Sequence, residues 1–263
     1  MSEKRLLLLL GSVVLSMAAA RRWHRIRVRY LSQLTTPTAS TTFTFLNVAT
    51  FLAWQLRGRS FKVERWLLEN AICSPRHLDQ GSYHTLLTHS FRHFDVGHFL
   101  QNMVSWLSSA PRLEREVGPV VFAVHCVGAA VSSGLAQSLW TRSSEGMTKD
   151  SFFLGASGVI SATNVALGFL QPDSRVVLFQ TLEMSYLQAM GVIALIDILP
   201  LIQGGSGGGR GVVAHAVGAL WGFAFIKFGF HRQVHDLWRK ITASCADRGP
   251  TAGPGGRRLG GTV

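Results

Sequence analysis

The charges in this chain are bunched, and between the bunches lie long stretches that carry almost none. Largely apolar runs occupy residues 41–56, 96–111, 120–140, 151–172, 176–201 and 211–226, with Glu183 and Asp197 the acids inside the fifth. A soluble helix needs a charged face for water, whereas a bilayer-crossing helix needs roughly 20 apolar residues to span about 30 Å of hydrocarbon. Charged residues make up only 15% of the chain, against about a quarter in soluble domains. A water-soluble globular fold is therefore excluded, and six runs in series predict an all-α polytopic membrane helix bundle. The shorter runs must tilt, carry snorkelling flanks or sit in thinned lipid.

The net charge of +12 does not indicate nucleic acid, because much of the excess falls in residues 21–29 and after Lys227, beside apolar runs. That placement suits anchoring at a membrane surface. Cys73, Cys126 and Cys245 have no CxxC spacing, so neither a disulfide framework nor a zinc site is indicated. His84, His89, His93 and His98 fall within fifteen residues, but without HExxH or carboxylate–histidine spacing. No metal and no cofactor are expected.

Three regions follow. Residues 1–40 hold an apolar run, residues 6–20, and a basic segment lacking acids from residue 20 to residue 58. The run is short for a span, and it suits either a targeting element or an extra tilted helix; the sequence leaves both open. Residues 41–230 hold the six runs, and residues 231–263 read as a basic, largely disordered tail. Between the first two runs, residues 61–71 are amphipathic, with Phe61, Trp66, Leu67 and Leu68 against Lys62, Glu64, Arg65 and Glu69, as in a segment lying in the interface. The Gly-rich connection at residues 203–210 reads as mobile.

Alternate runs start from the same membrane face, so depth is legible from spacing. Asn102 follows Asp95 by seven residues, Ser157 follows Ser151 by six, and His215 follows Gly211 by four. At helical rise all three fall about 6 to 11 Å below that face. Ser157 lies in Gly155-Ala156-Ser157-Gly158 at a loop-to-helix junction, where glycines allow close backbone approach and free N–H groups can bind an oxyanion. Taken singly, a membrane-helix serine commonly bonds back to a carbonyl one turn earlier. His215 is an ionisable residue at membrane depth, and Gly218 and Gly222 share its face at i+3 and i+7, where small residues let a second helix pack closely. Its alternative role is a hydrogen bond across helices. His98 and Asn102, at i and i+4, are donors suited to stabilising a carbonyl oxyanion, or else polar glue between helices.

The order His98-Phe99-Leu100-Gln101-Asn102, then Gly155-Ala156-Ser157-Gly158, then Ala214-His215-Ala216-Val217-Gly218-Ala219-Leu220-Trp221-Gly222 resembles the rhomboid intramembrane serine proteases, over about residues 41–230. The resemblance implies a six-helix rhomboid core, with an additional N-terminal helix if residues 6–20 are retained. It implies Ser157 as nucleophile and His215 as general base, then acid. It further implies Asn102, His98 and the Ser157 backbone N–H as the oxyanion hole, and Glu114 as a structural acid after the second helix. His84-Thr85 stands where many rhomboids carry Trp-Arg. The run Tyr83-His84-Thr85-Leu86-Leu87-Thr88, the GASG form of the serine motif, Asp197 and the basic tail near Trp238 are most similar to the mitochondrial, presenilin-associated branch, which implies the mitochondrial inner membrane.

The expected function is therefore intramembrane serine endopeptidase, cutting single-pass or membrane-anchored proteins within or near their transmembrane helix, in a lipid bilayer and with no nucleic-acid partner. No carboxylate is placed to orient the histidine, since Asp197 lies far along the fifth run, so a Ser–His dyad is expected. Glu183 and Asp197 are given no role. An inactive client-binding relative would lack the serine or the histidine, and a polytopic transporter would show internal repeats, which are not seen.

Overall fold

The computed structural model describes residues 38–144, 146–178, 182–202 and 211–247. The apolar run at residues 6–20, the basic segment after it and the Gly-rich connection at 203–210 lie outside the described residues. Helix α1, Ala39–Gln55, begins at Thr38, whose hydroxyl accepts from the Thr41 amide in a capping box. A short 3₁₀ turn, Arg57–Arg59, leads into the amphipathic α2, Phe61–Asn70, which buries Leu67 and leaves Phe61 and Trp66 exposed. The short helices α3, Pro75–Asp79, and α4, Thr85–Thr88, complete this loop.

Helix α5, Val96–Val117, is capped by Asp95, which accepts from the His98 amide at 2.8 Å. It continues through Pro111, so the residues between the second and third apolar runs are largely helical, and Gly118 at φ +84° alone separates it from α6, Pro119–Ser143. Helix α7, Ser157–Leu170, is followed by an antiparallel hairpin of β1, Arg175–Leu178, and β2, Leu182–Ser185, in register Arg175↔Ser185. Helices α8, Tyr186–Ile202, α9, Val212–Lys227, and α10, Phe230–Asp247, follow.

Two expectations change. The apolar pattern predicts a helix through the fifth run from residue 176, but its first part forms the hairpin, and the exposed Glu183 lies on β2 outside the helix. Val176 and Val177 favour extended backbone, and pairing with the second strand satisfies their amides without a helix. Composition predicts a largely disordered tail for residues 231–263, yet α10 runs to Asp247. It turns away from α9 by 62°, and its apolar Val234, Leu237, Trp238 and Ile241 recur at helical spacing between basic residues.

The outer surface is more apolar, and the core more polar, than in a soluble protein. Phe45, Leu52, Leu100, Val127, Leu139, Leu195 and Leu220 are exposed, while Asn47, His125, Ser133, Gln137, Thr163 and Asn164 are buried. Apolar side chains outward and polar ones inward is what lipid permits and water penalises. Among the described residues, helix α6 alone is long and apolar enough to cross a membrane, α9 and α10 satisfy the same test together, and α7 and α8 are shorter apolar helices.

Helix α7 is the centre of the bundle, with residues 158–168 all buried. The rest of the core locks α5 around it. Trp106 stacks on Phe43 at 4.2 Å and donates from Nε1 to Thr44 Oγ1 at 3.0 Å, while Tyr186 donates from its hydroxyl to the Ser108 carbonyl at 3.2 Å. Glu114 closes the far end. Its carboxylate accepts from the Ala39 amide at 2.7 Å, the Ser40 amide at 3.2 Å and the Ser40 hydroxyl. The first turn of α1 contains no acid of its own, so the carboxylate of α5 satisfies its unpaired amides and its positive dipole end from across the bundle.

Candidate active site

The site begins in a length of non-helical backbone. Residues 151–156, expected within the fourth span, form no helix, and α7 starts at Ser157 itself. Two contacts hold this descent against the first loop: Phe153 pairs with Cys73, and the Gly155 amide donates to the His89 carbonyl at 2.9 Å. Farther out, Asp79 binds Arg142 and Lys149, and Arg76 binds Asp150. Hydrogen bonds from Arg142 and Lys149 hold the Asp79 carboxyl below its ordinary range. The serine is thus delivered to the first position of a helix with its own N–H directed out of the helix end, where no intrahelical acceptor exists.

Gly155 has φ +123°, a conformation that a side chain strains, and a methyl there would meet His98 Cε1 at 2.9 Å and Ser157 Oγ at 3.8 Å. The glycine is the space between the His98 imidazole and the serine hydroxyl. His98 itself is held edge-on by His93, ring centroids 5.0 Å apart. Asn102 is buried one turn along α5, and its amide donates to the His98 carbonyl at 2.8 Å. One amide hydrogen therefore stays on its own helix and the other is left for a further acceptor.

On the opposite side, α9 packs against α7 at backbone distance. A methyl on Gly218 would overlap the Gly158 carbonyl, and one on Gly222 would overlap the Ala162 carbonyl. This close crossing brings the imidazole of His215 to the serine: Nε2 lies 2.7 Å from Ser157 Oγ. Gln137 of α6 fixes the start of α9 by accepting from the Ala214 amide at 3.2 Å. We expect Gly218→Ala to lower stability by about 1 to 3 kcal/mol, because two backbones must separate. Thermal unfolding of the detergent-purified protein measures this. Gly191→Ala, where a methyl meets nothing within 4 Å, serves as the neutral control.

The expectation that no carboxylate orients the histidine is corrected. Asp197 Oδ2 lies 2.6 Å from His215 Nδ1, with both side chains about one-fifth exposed. The chain runs out along α8 and returns along α9, so the late part of one helix faces the start of the next. Distance along the fifth run therefore did not measure distance from the histidine. With Asp197 ionised, Nδ1 carries the proton and donates to it, which leaves Nε2 as the acceptor for the Ser157 hydroxyl. Hydroxyl, imidazole and carboxylate thus form one hydrogen-bonded line, the arrangement that activates a serine for attack.

Two contributors had no sequence assignment. Asp197 carried a usable signal, an acid within an apolar run. Gln137 carried only its polarity inside a membrane helix. Among the described residues no group of three His, Cys, Asp or Glu side chains is arranged to hold a metal ion.

Residues 80–232 match the Rhomboid domain family. The chain belongs to the rhomboid family, whose fold is a polytopic helical membrane bundle. It is also 26% identical over 147 residues to RHOMBOID-like protein 12, mitochondrial, of Arabidopsis thaliana, an overlap covering 50% of this chain and 41% of that protein. The matched stretch spans less than half of that relative's length.

Proposed function

We propose that the protein is an intramembrane serine endopeptidase acting on membrane-anchored proteins. The observation that carries this reading is the line Ser157 Oγ, His215, Asp197, with contacts of 2.7 and 2.6 Å, at the N-terminus of a buried helix in a rhomboid bundle. His215 Nε2 takes the hydroxyl proton as Ser157 Oγ bonds to a peptide carbonyl carbon. The oxyanion is met by the Ser157 N–H, with His98 and the free amide hydrogen of Asn102 on the facing side. His215 returns the proton to the leaving amine, and water then hydrolyses the ester by the same steps in reverse. The earlier expectation of a dyad becomes a three-residue arrangement in which Asp197 holds the tautomer.

The substrate class follows from the setting. A helical segment has its carbonyls bonded and shielded, so the cut peptide must be unwound near the face where α7 begins. A catalytic unit of residues 41–230, flanked by an N-terminal segment and the α10 extension, fits the placement of these groups. The mitochondrial relative and the Arg-rich, acid-poor N-terminal segment support the mitochondrial inner membrane, and Asp197 on the fifth helix supports the presenilin-associated branch.

The deciding experiment reconstitutes the full chain in liposomes with a fluorogenic single-pass substrate and treats it with a fluorophosphonate. Stoichiometric labelling of Ser157 with parallel loss of cleavage is the expected result. Cleavage that survives complete labelling excludes Ser157 as the nucleophile, and no cleavage of any membrane-anchored substrate overturns the reading in favour of a client-binding role.

A further inference from the structure

Helix α10 has an apolar side that the bundle covers only at its start. Helix α9 carries His215 in its first turn and runs for 16 residues, about 24 Å, to Lys227 at the other end of the bundle. There the chain is turned firmly. Gly229 takes φ +73°, the Phe228 amide donates to the Ala224 carbonyl at 3.0 Å, and His231 Nδ1 donates to the Phe225 carbonyl at 3.1 Å. These bonds satisfy the end of α9 and set α10 off at 62° from it. A helix at that angle leaves the direction of the crossing.

At about 100° per residue, Phe230, Val234, Leu237, Trp238 and Ile241 fall within one arc of α10, while Arg232, Asp236, Arg239 and Lys240 fall outside it. Val234 shows which way the apolar arc points. It is half-buried and packs on the core of the bundle, where α10 lies against α6. Leu237, Trp238 and Ile241 continue the same arc and are 59%, 44% and 48% exposed. The side of α10 that meets the end of the bundle is therefore the side that, farther along, meets what surrounds it. In a rhomboid fold that surround is lipid.

The bend also marks a depth. Phe169, Phe223, Phe228 and Phe230 form a chain of ring contacts at 5.3, 6.2 and 6.2 Å, leading from α7 across α9 to the start of α10. Aromatic rings collect where hydrocarbon gives way to headgroups. Over the turn and α10, Lys227, Arg232, Arg239 and Lys240 outnumber Asp236 and Asp247, a balance suited to a negative headgroup layer.

We propose that α10 lies in the headgroup layer of an anionic phospholipid bilayer, on the face opposite the Ser157 site. Leu237, Trp238 and Ile241 sit among the acyl chains, and the basic side chains sit near the phosphates. The helix then pins the end of α9, which carries His215, to one membrane face. This inference is independent of the catalytic reading.

The test labels the full chain with an environment-sensitive fluorophore at single cysteines in a Cys245→Ser background, since Cys73 and Cys126 are buried. Leu237→Cys and Ile241→Cys report the apolar side, Asp236→Cys and Ala243→Cys the other. All four positions are exposed, so labelling leaves the packing intact. In liposomes of phosphatidylcholine and phosphatidylglycerol, a doxyl quencher near the headgroup should act about threefold more strongly at 237 and 241 than at 236 and 243. It should also act more strongly there than a quencher near the chain end. Quenching at 237 should fall by about half in pure phosphatidylcholine, and likewise when Arg239→Gln and Lys240→Gln are combined. Equal quenching at all four positions overturns the proposal, as does stronger quenching from the chain end. It falls equally if 237 and 241 are unquenched because a second copy covers them, or if neither lipid charge nor the paired glutamines alter quenching at 237.

Discussion

Ser157→Ala and His215→Ala are each expected to reduce cleavage of a reconstituted membrane-anchored substrate by about 10⁴-fold or more, to the background of the assay. The two residues meet at 2.7 Å and act as one unit. Alanine at 157 removes the atom that bonds to the carbonyl, while alanine at 215 leaves a hydroxyl with no base to take its proton. Losses from such a unit do not add, so the double variant should be no worse than either single one. Stability should separate from activity: a serine at the first position of α7 with no side-chain cap contributes little to folding. Ser157→Ala should therefore keep the parent thermal midpoint within about 1 °C. Residual turnover within tenfold of the parent in either variant would exclude the proposed mechanism.

Asp197→Asn should lower kcat by about 10² to 10⁴-fold with KM little changed, since the group acts on the histidine and touches no substrate. The reason is the direction of a proton. The carboxylate at 2.6 Å accepts from His215 Nδ1 and so keeps Nε2 free to accept from Ser157. An asparagine that turns its amide towards Nδ1 donates instead, and the proton moves to the nitrogen that must be the base. Asp197→Ala removes orientation without enforcing the wrong tautomer, so it should be less damaging than the asparagine. Equal and small effects of both, or a loss confined to KM, would assign Asp197 a packing role. Fluorophosphonate labelling rates of the two variants give a readout free of substrate binding and should follow the same order.

The bearing of Asp197 on His215 also illustrates how depth and direction combine in this bundle. The proposed active groups come from α7, α8 and α9, with His98 and Asn102 supplied by α5. The spacing counts Ser157 six residues from Ser151 at helical rise, whereas non-helical backbone carries it inward before the helix begins. Helix starts then do what a run of side chains at equal depth would not: α7 presents free amides beside Ser157, and α9 presents His215 from its first turn.

Much of this was written in the chain itself. Bunched charge between apolar runs determined the helical membrane class, because lipid leaves the backbone few other ways to satisfy its polar groups. Serine between glycines, and a histidine with glycines at i+3 and i+7, marked two helix faces that must approach closely, since those spacings are local consequences of helical geometry. Three things were settled only by tertiary packing. Asp197 reached His215 because α8 and α9 lie alongside each other, and no local period encodes which neighbours a returning helix meets. Residues 175–178 paired with residues 182–185 because strand bonds form between segments, not within one. The Arg92 guanidinium, buried over the Trp54 ring, lost its solvent only when α1 and the loop closed over it. Periodicity along a chain fixes what a segment can be, but the partner each polar group finds depends on which segments fold against it.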